Sequence, residues 1–386
     1  GALEKLSDEP RFDRAARLGQ PDLPDGVRLM IEIVASVDTA ESTELLLQLL
    51  NSPRATWSMA SMQVLCKFQH HAAIDEILKR MDSESFDENY GYRFALARGL
   101  KDMKHPDAWD GLAKLFDRVD GQLAHRLEQE FQGVTAEAFD HDVERFEQWQ
   151  RNVGLTPAEE PVLDTALARA VQLLENEGDP GSVELPMPEK KSLSPNKSAS
   201  SYARERKLTP SKYYGIDIYA KRLLFIIDRS GSMNHVVYVQ TRIQKAKREL
   251  ITAINGLDER CEFSVFVFDT DVRAWRTNLV QATDENKRDA AKYVSKLTAG
   301  SSTNTYGALR MGIEFDPQLE AIFLLTDGQP TAGPIVHPSG ILLDILARNE
   351  WHHITINSIA IAVEPTVRSF LRKLTEPSGG DFRDVR

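Results

Sequence analysis

Two unbroken apolar runs near the C-terminus, Leu223–Ile227 and Ala321–Leu325, limit what this chain can become more than any other feature. Neither alternates with polar residues, and both have the length of a strand, far below the roughly 18–20 residues of a membrane span. A short run without alternation reads as a strand buried on both faces. Further strands are expected at Phe263–Phe268, Ile354–Ala362 and Phe382–Val385. Between them lie segments of helical period. Ile243, Ala246, Leu250, Ile254 and Leu257 share one side, and helices are also expected near Asp284–Leu297, Tyr306–Ile313, Ile341–Asn349 and Thr366–Leu374. Strand and helix in turn predict a doubly wound, mostly parallel, Rossmann-like α/β sheet over residues 213–386.

The first part of the chain has another texture. Val37, Phe68 and Met103 superimpose under shifts of 31 and then 35 residues, as do Leu46, Ile77 and Leu112, and again Leu50, Met81 and Phe116. A unit of this length, two apolar-striped helices around a polar turn, predicts an α-solenoid. The turns are expected at Asp38–Ser42, Gln69–Ala72 and Lys104–Asp107, where Pro106 suits a helix start. A decayed fourth unit over Ala124–Trp149 is expected to cap the stack, with Phe139, Val143, Phe146 and Trp149 as core. Another helix is expected at Val162–Leu174. The chain therefore divides into a helical-repeat domain at 1–175, a basic Pro/Ser-rich linker at 176–212 and the α/β domain at 213–386.

Both apolar runs lead into an aspartate, Leu-Leu-Phe-Ile-Ile-Asp228 and Ala-Ile-Phe-Leu-Leu-Thr-Asp327. In an open α/β sheet the strand ends form the ligand-binding rim. If the two strands are neighbours, the two carboxylates converge, and like charges about 4 Å apart repel by about 4 kcal/mol at an effective dielectric near 20. A divalent cation reverses the sign. In Asp228-Arg-Ser230-Gly-Ser232, alternate positions can face one point, and the loop Ala299–Leu309 brings Thr303 to a helix start. These are hard oxygen ligands with few charges, the set that suits Mg²⁺ or Mn²⁺ and lacks the sulfur and imidazole that zinc prefers. Asp269 and Asp271 read as turn residues, and His235 and His337 as surface or partner-contact residues.

These three motifs, in this order and spacing, resemble the von Willebrand factor A domain with an intact metal-ion-dependent adhesion site. The resemblance covers Arg222–Arg386. It implies that Ser230 and Ser232 bind the metal directly, that Asp228 and Asp327 act directly or through water, and that Thr303 joins according to conformation. A partner protein's Glu or Asp carboxylate then fills the remaining position. The helical spacing resembles HEAT-like repeats. The whole layout, with Tyr214-Gly-Ile before the first strand and Phe146-Glu-Gln-Trp149 closing the repeats, is similar to bacterial, planctomycete-type A-domain proteins.

The function expected is metal-dependent protein–protein interaction, not catalysis. There is no general base at fixed spacing, no Gly-Lys-Ser/Thr phosphate loop and no nucleophile elbow, so a metal-dependent hydrolase is the weaker alternative. Helical repeats before an A domain also resemble the ring-shaped Ro autoantigen that binds small RNAs. The formal charge of −11 and pI near 5.4 argue against that, since nucleic-acid surfaces need net positive charge. Met233–Val239, Ser301–Tyr306 and Gly328–Gly340 are the expected selectivity loops, with Asn234, Tyr238 and Gln329 as contacts. Cys66 and Cys261 fit no metal or redox spacing and are expected to be free buried thiols. The sequence says nothing of oligomeric state. It starts Gly-Ala without a Met, so exported and cytoplasmic locations both stay open.

Overall fold

The computed structural model describes residues 23–37, 39–135, 145, 148, 210–237 and 239–385. The expected helix Val162–Leu174, most of the linker, the expected core positions 139, 143, 146 and 149, and Tyr238 lie outside the described residues.

Eight helices come first among them: α1 (Asp25–Ser36), α2 (Ala40–Leu50), α3 (Ala55–Lys67), α4 (Ile74–Lys79), α5 (Glu84–Glu88), α6 (Tyr90–Asp102), α7 (Pro106–Arg118) and α8 (Gly121–Thr135). The residues related by the 31- and 35-residue shifts fall at these places in the helices. Val37, Phe68 and Met103 are the residues that end α1, α3 and α6, while Leu46, Ile77 and Leu112 are core positions of α2, α4 and α7. α1 packs on α3 and α3 on α6, with α4 beside α7. Pro106 opens α7, as its fixed φ and missing N–H favour. Ser42, expected in a turn, lies inside α2. Its hydroxyl accepts from the Thr39 N–H while Thr39 accepts from Ser42, a reciprocal cap that starts the helix three residues early.

The α/β part begins with a hairpin, β1 (Ser211–Tyr213) and β2 (Ile216–Ile218), turned by Tyr214 and Gly215 at φ of 50° and 80°. Positive φ at both turn positions matches the twist of the flanking strands. Next come β3 (Arg222–Asp228), a small ribbon of β4 (Val236–Val237) and β5 (Gln240–Thr241), α9 (Arg242–Gly256), β6 (Glu262–Phe268), β7 (Val272–Ala274), β8 (Val280–Gln281), α10 (Asp284–Ser295), α11 (Thr305–Ile313), β9 (Ala321–Thr326), α12 (Pro338–His352), β10 (Thr355–Ile361), α13 (Pro365–Thr375) and β11 (Phe382–Val385). The sheet order is β11-β10-β9-β3-β6-β7; the first five strands are parallel, and β7 and β8 run antiparallel to β6.

The unbroken apolar runs follow from two cores. Leu223, Phe225, Ile227 and Phe323 pack toward α9, α10 and the first hairpin, whereas Leu224, Ile226, Ile322 and Leu324 pack toward α11, α12 and α13. Alternate residues of one strand thus serve opposite faces, so every position must be apolar. Cys66 and Cys261 are free and buried, and burial pushes their thiols up to about 12 and about 11. No helix among the described residues is long and apolar enough to cross a membrane.

The two parts are packed on each other. Trp351 of α12 joins the helical core, and the Phe94 ring stacks on His353 at 4.5 Å with the Arg126 guanidinium over Phe94 at 4.4 Å. The Glu320 carboxylate is buried and accepts from the Gln122 N–H at 2.9 Å, in the first turn of α8, and from the Lys221 N–H at 3.1 Å. Burial pushes its pKa up to about 7 against those two hydrogen bonds; Asp120 adds to the rise and Arg93 opposes it. The folded state therefore favours the protonated acid. Its contribution to stability is complete below pH 4.5 and is lost as pH rises through about 7. Between pH 6 and 8 this group should cost roughly 1 kcal/mol. Glu320→Gln should remove that share of the pH dependence in urea unfolding; an unchanged slope would show that the carboxyl ionises normally.

Candidate metal centre

β3 and β9 are paired neighbours in register Ile227↔Leu325, so Asp228 and Asp327 emerge side by side at the carboxyl rim of the sheet. Asp228 is fully buried. Its Oδ1 accepts from the Ser230 N–H at 2.7 Å, which bends the chain out of β3, and its Oδ2 accepts from the Thr326 hydroxyl at 2.6 Å. The bend aims the next alternate side chains inward. Ser230 Oγ lies 3.0 Å from Ser232 Oγ and 3.5 Å from Asp327 Oδ1, and Ser232 Oγ donates to Asp327 Oδ1 at 2.7 Å. Buried Met233 anchors the short 3₁₀ turn Gly231–Asn234 that follows.

The third loop is laced to the first. Gly231 N–H donates to Ser301 O at 2.8 Å and Gly300 N–H to Arg229 O at 2.5 Å. A Cβ at Gly300 would lie 2.1 Å from Asp269 Oδ2, so only glycine passes there. Thr303 is buried, and its N–H donates to the Thr331 hydroxyl at 2.9 Å while Thr331 N–H returns to its carbonyl. Its hydroxyl and that of Ser232 both lie near Gly328, where a Cβ would stand 4.0 Å from Thr303 Oγ1 and 3.5 Å from Ser232 Oγ. Ser230, Ser232 and Asp327 thus touch one another, Asp228 holds the Ser230 N–H beneath them, and Thr303 lies near Gly328 beside them.

This donor set is entirely oxygen: two carboxylates and three hydroxyls. No group of three or more His, Cys, Asp or Glu side chains that could hold an ion occurs among the described residues. Oxygens about 2.0–2.1 Å from an octahedral ion stand about 2.9 Å apart along an edge. The observed separations of 2.7, 3.0 and 3.5 Å bracket that value. The electrostatics point the same way. Burial pushes the Asp228 carboxyl up to about 7; the Thr326 hydroxyl pulls it down, and the charge on Asp327 raises it again. Two carboxylates crowded at a sealed rim are under a repulsion that a divalent cation would relieve.

Several partners of the cluster escape a reading of the sequence. Arg242, the first residue of α9, donates from Nη1 to Asp327 Oδ2 at 2.8 Å. Asp269, expected as a turn residue, does close the turn after β6 by accepting from the Asp271 N–H, and it is also buried and holds Arg229 Nη2 at 2.6 Å. Gln329, expected to meet a partner, turns its amide to Thr366 at 3.0 Å. His235, Asn234 and His337 are exposed.

Residues 223–329 match the family model described as von Willebrand factor type A domain. The chain carries a von Willebrand factor type A domain. Mouse (Mus musculus) inter alpha-trypsin inhibitor, heavy chain 4 is 31% identical over 125 residues, which are 30% of this chain and 13% of that protein. Human (Homo sapiens) inter-alpha-trypsin inhibitor heavy chain H4 is 32% identical over 130 residues, 31% of this chain and 13% of that protein. The match therefore spans only 13% of the length of either relative. Among solved structures, the von Willebrand factor type A protein from Catenulispora acidiphila is similar at 22% identity and a TM-score of 0.37, over 44% of this chain and 40% of that one. In this A domain the rim at β3 and β9 is the place where the cluster lies.

Proposed function

We propose that this chain is a divalent-metal-dependent protein-binding module and not an enzyme. Asp228, Ser230, Ser232, Thr303 and Asp327 would hold Mg²⁺ or Mn²⁺, and an acidic side chain of a partner would complete the site. The observation that carries this reading is the mutual approach of Ser230 Oγ, Ser232 Oγ and Asp327 Oδ1 within 2.7–3.5 Å. A cation held largely by neutral hydroxyls supplies a Lewis-acidic point that a carboxylate can satisfy. The protein's own residues do the rest. Asp228 orients Ser230 through its backbone N–H, Asp327 orients Ser232, and the interlaced loops at 229–231 and 300–304 keep the hydroxyls from turning to water. The flanking ribbon leaves Val236 and Val239 exposed, an apolar rim for a protein partner. The helical part, read as HEAT-like repeats, would serve as a scaffold that carries the A domain and presents a second surface.

Affinity capture on the immobilised full chain tests this directly. Partners retained in 1 mM-range Mg²⁺ should be released by EDTA and restored by Mg²⁺ or Mn²⁺. Recovery of the same proteins with and without chelator would rule out recognition through the metal. RNA recovered with steep salt sensitivity would favour the RNA-scaffold alternative.

A further inference from the structure

We propose that Arg242 is a built-in counterion of this centre: it confines Asp327 to one cluster-facing oxygen and leaves the loaded site with one net positive charge, matched to a single partner carboxylate. This rests on the metal reading above and adds a residue to it.

The two oxygens of Asp327 are divided between two tasks. Oδ1 receives Ser232 Oγ at 2.7 Å and lies 3.5 Å from Ser230 Oγ, while Oδ2 receives Arg242 Nη1 at 2.8 Å. The Asp327 side chain is fully buried and that of Arg242 is 15% exposed, so the pair is poorly screened. Arg242 is also held in place from three sides. Its Nη2 donates to Ala362 O at 3.3 Å, at the end of β10, its N–H donates to His235 O at 3.0 Å, and the Thr241–Gln244 capping box fixes the start of α9 beneath it. The other guanidinium of the rim, Arg229, is turned away onto Asp269. Among the described residues, Arg242 is therefore the cation paired with the cluster.

Charge counting gives the consequence. Asp228 and Asp327 together carry two negative charges when ionised, and Arg242 returns one. A divalent ion then leaves a local sum of plus one, where the same site without Arg242 would be neutral. The arginine thus lowers affinity for the ion and raises the loaded site's attraction for an anion, a trade of metal affinity for partner affinity. It also prevents Asp327 from gripping an ion with both oxygens.

The test is calorimetric titration of Mg²⁺ into the full-length wild type, Arg242→Gln and Arg242→Lys, followed by titration of acetyl-Gly-Glu-Gly-amide into each Mg²⁺-saturated protein by NMR. Arg242→Gln should bind Mg²⁺ at least tenfold more tightly and the peptide at least fivefold more weakly. Arg242→Lys keeps the charge and should stay within about threefold of wild type on both measurements, which guards against loss of the fold as the cause. Unchanged or weaker Mg²⁺ binding by folded Arg242→Gln, with wild type binding normally, would overturn the counterion role alone. Failure of wild type to bind Mg²⁺ would overturn the metal reading and this role with it.

Discussion

Alanine at Asp327 is expected to abolish Mg²⁺ binding and, without any metal present, to destabilise the A domain. Asp327 is the carboxylate that both touches the serine hydroxyls and pairs with Arg242. Its loss removes a charged ligand, which should weaken Mg²⁺ by more than about 100-fold. The second effect is separate. Removing one partner of a buried ion pair typically costs 3–5 kcal/mol, because the other charge stays behind unpaired. Arg242 is partly exposed and can relax toward water, so about 3 kcal/mol is expected here. For a unit of this size that corresponds to a fall in Tm of roughly 6–12 °C. Calorimetry with Mg²⁺ and thermal unfolding in EDTA read the two effects independently. Asp327→Asn should lose the metal but retain more of the stability, since its amide oxygen can still accept from Ser232. Saturable Mg²⁺ binding that survives Asp327→Ala would place the ion elsewhere.

Gly91→Ala should uncouple the two halves of the molecule. In an α-helix, glycine to alanine by itself gains up to about 1 kcal/mol. At Gly91 the new Cβ would lie 2.1 Å from the backbone carbonyl oxygen of Trp351. No side-chain rotation relieves an overlap with backbone, so α6 and α12 must move apart by more than about 1 Å, in an interior packed too densely to absorb it. That displacement opens the Phe94–His353 stack and pulls on the Glu320 link. A net loss of about 2 kcal/mol or more is expected, with scanning calorimetry resolving two transitions where wild type shows one. Gly26→Ala is the matched control, because nothing lies within 4 Å of its Cβ position; there a gain of up to about 1 kcal/mol is expected. A neutral Gly91→Ala with a single transition would mean that the helical part and the A domain are not mechanically joined through α6.

The elements of the sheet were legible because their signal is local. β9 spans Ala321–Thr326 and β6 Glu262–Phe268, within a residue of where the apolar runs placed them, since strands buried on both faces leave no polar position inside. The helical texture of the first part was legible for the same reason: α2, α3, α6 and α7 each bury an apolar stripe of their own. The short strands β1, β2, β7 and β8 were not, because a run of two or three residues has no periodicity to detect. The Tyr214–Gly215 turn offered only half of the usual signal, a glycine without the preceding Asn or Asp.

The candidate site divides along the same line. Which oxygens stand at the rim is determined by the sequence alone: a strand that ends in Asp and bends through Ser-Gly-Ser must present them there, and a second Asp follows its own strand. What balances those oxygens was decided only by the tertiary structure. Arg242 meets Asp327 across 85 residues, Thr326 meets Asp228 across 98, and Glu320 meets Gln122 across 198. Backbone preference and side-chain periodicity act over a few residues, whereas charge pairing and hydrogen bonding act through space. Until the sheet places β9 beside β3 and the start of α9 above both, nothing distinguishes Arg242 from any other arginine on a helix surface.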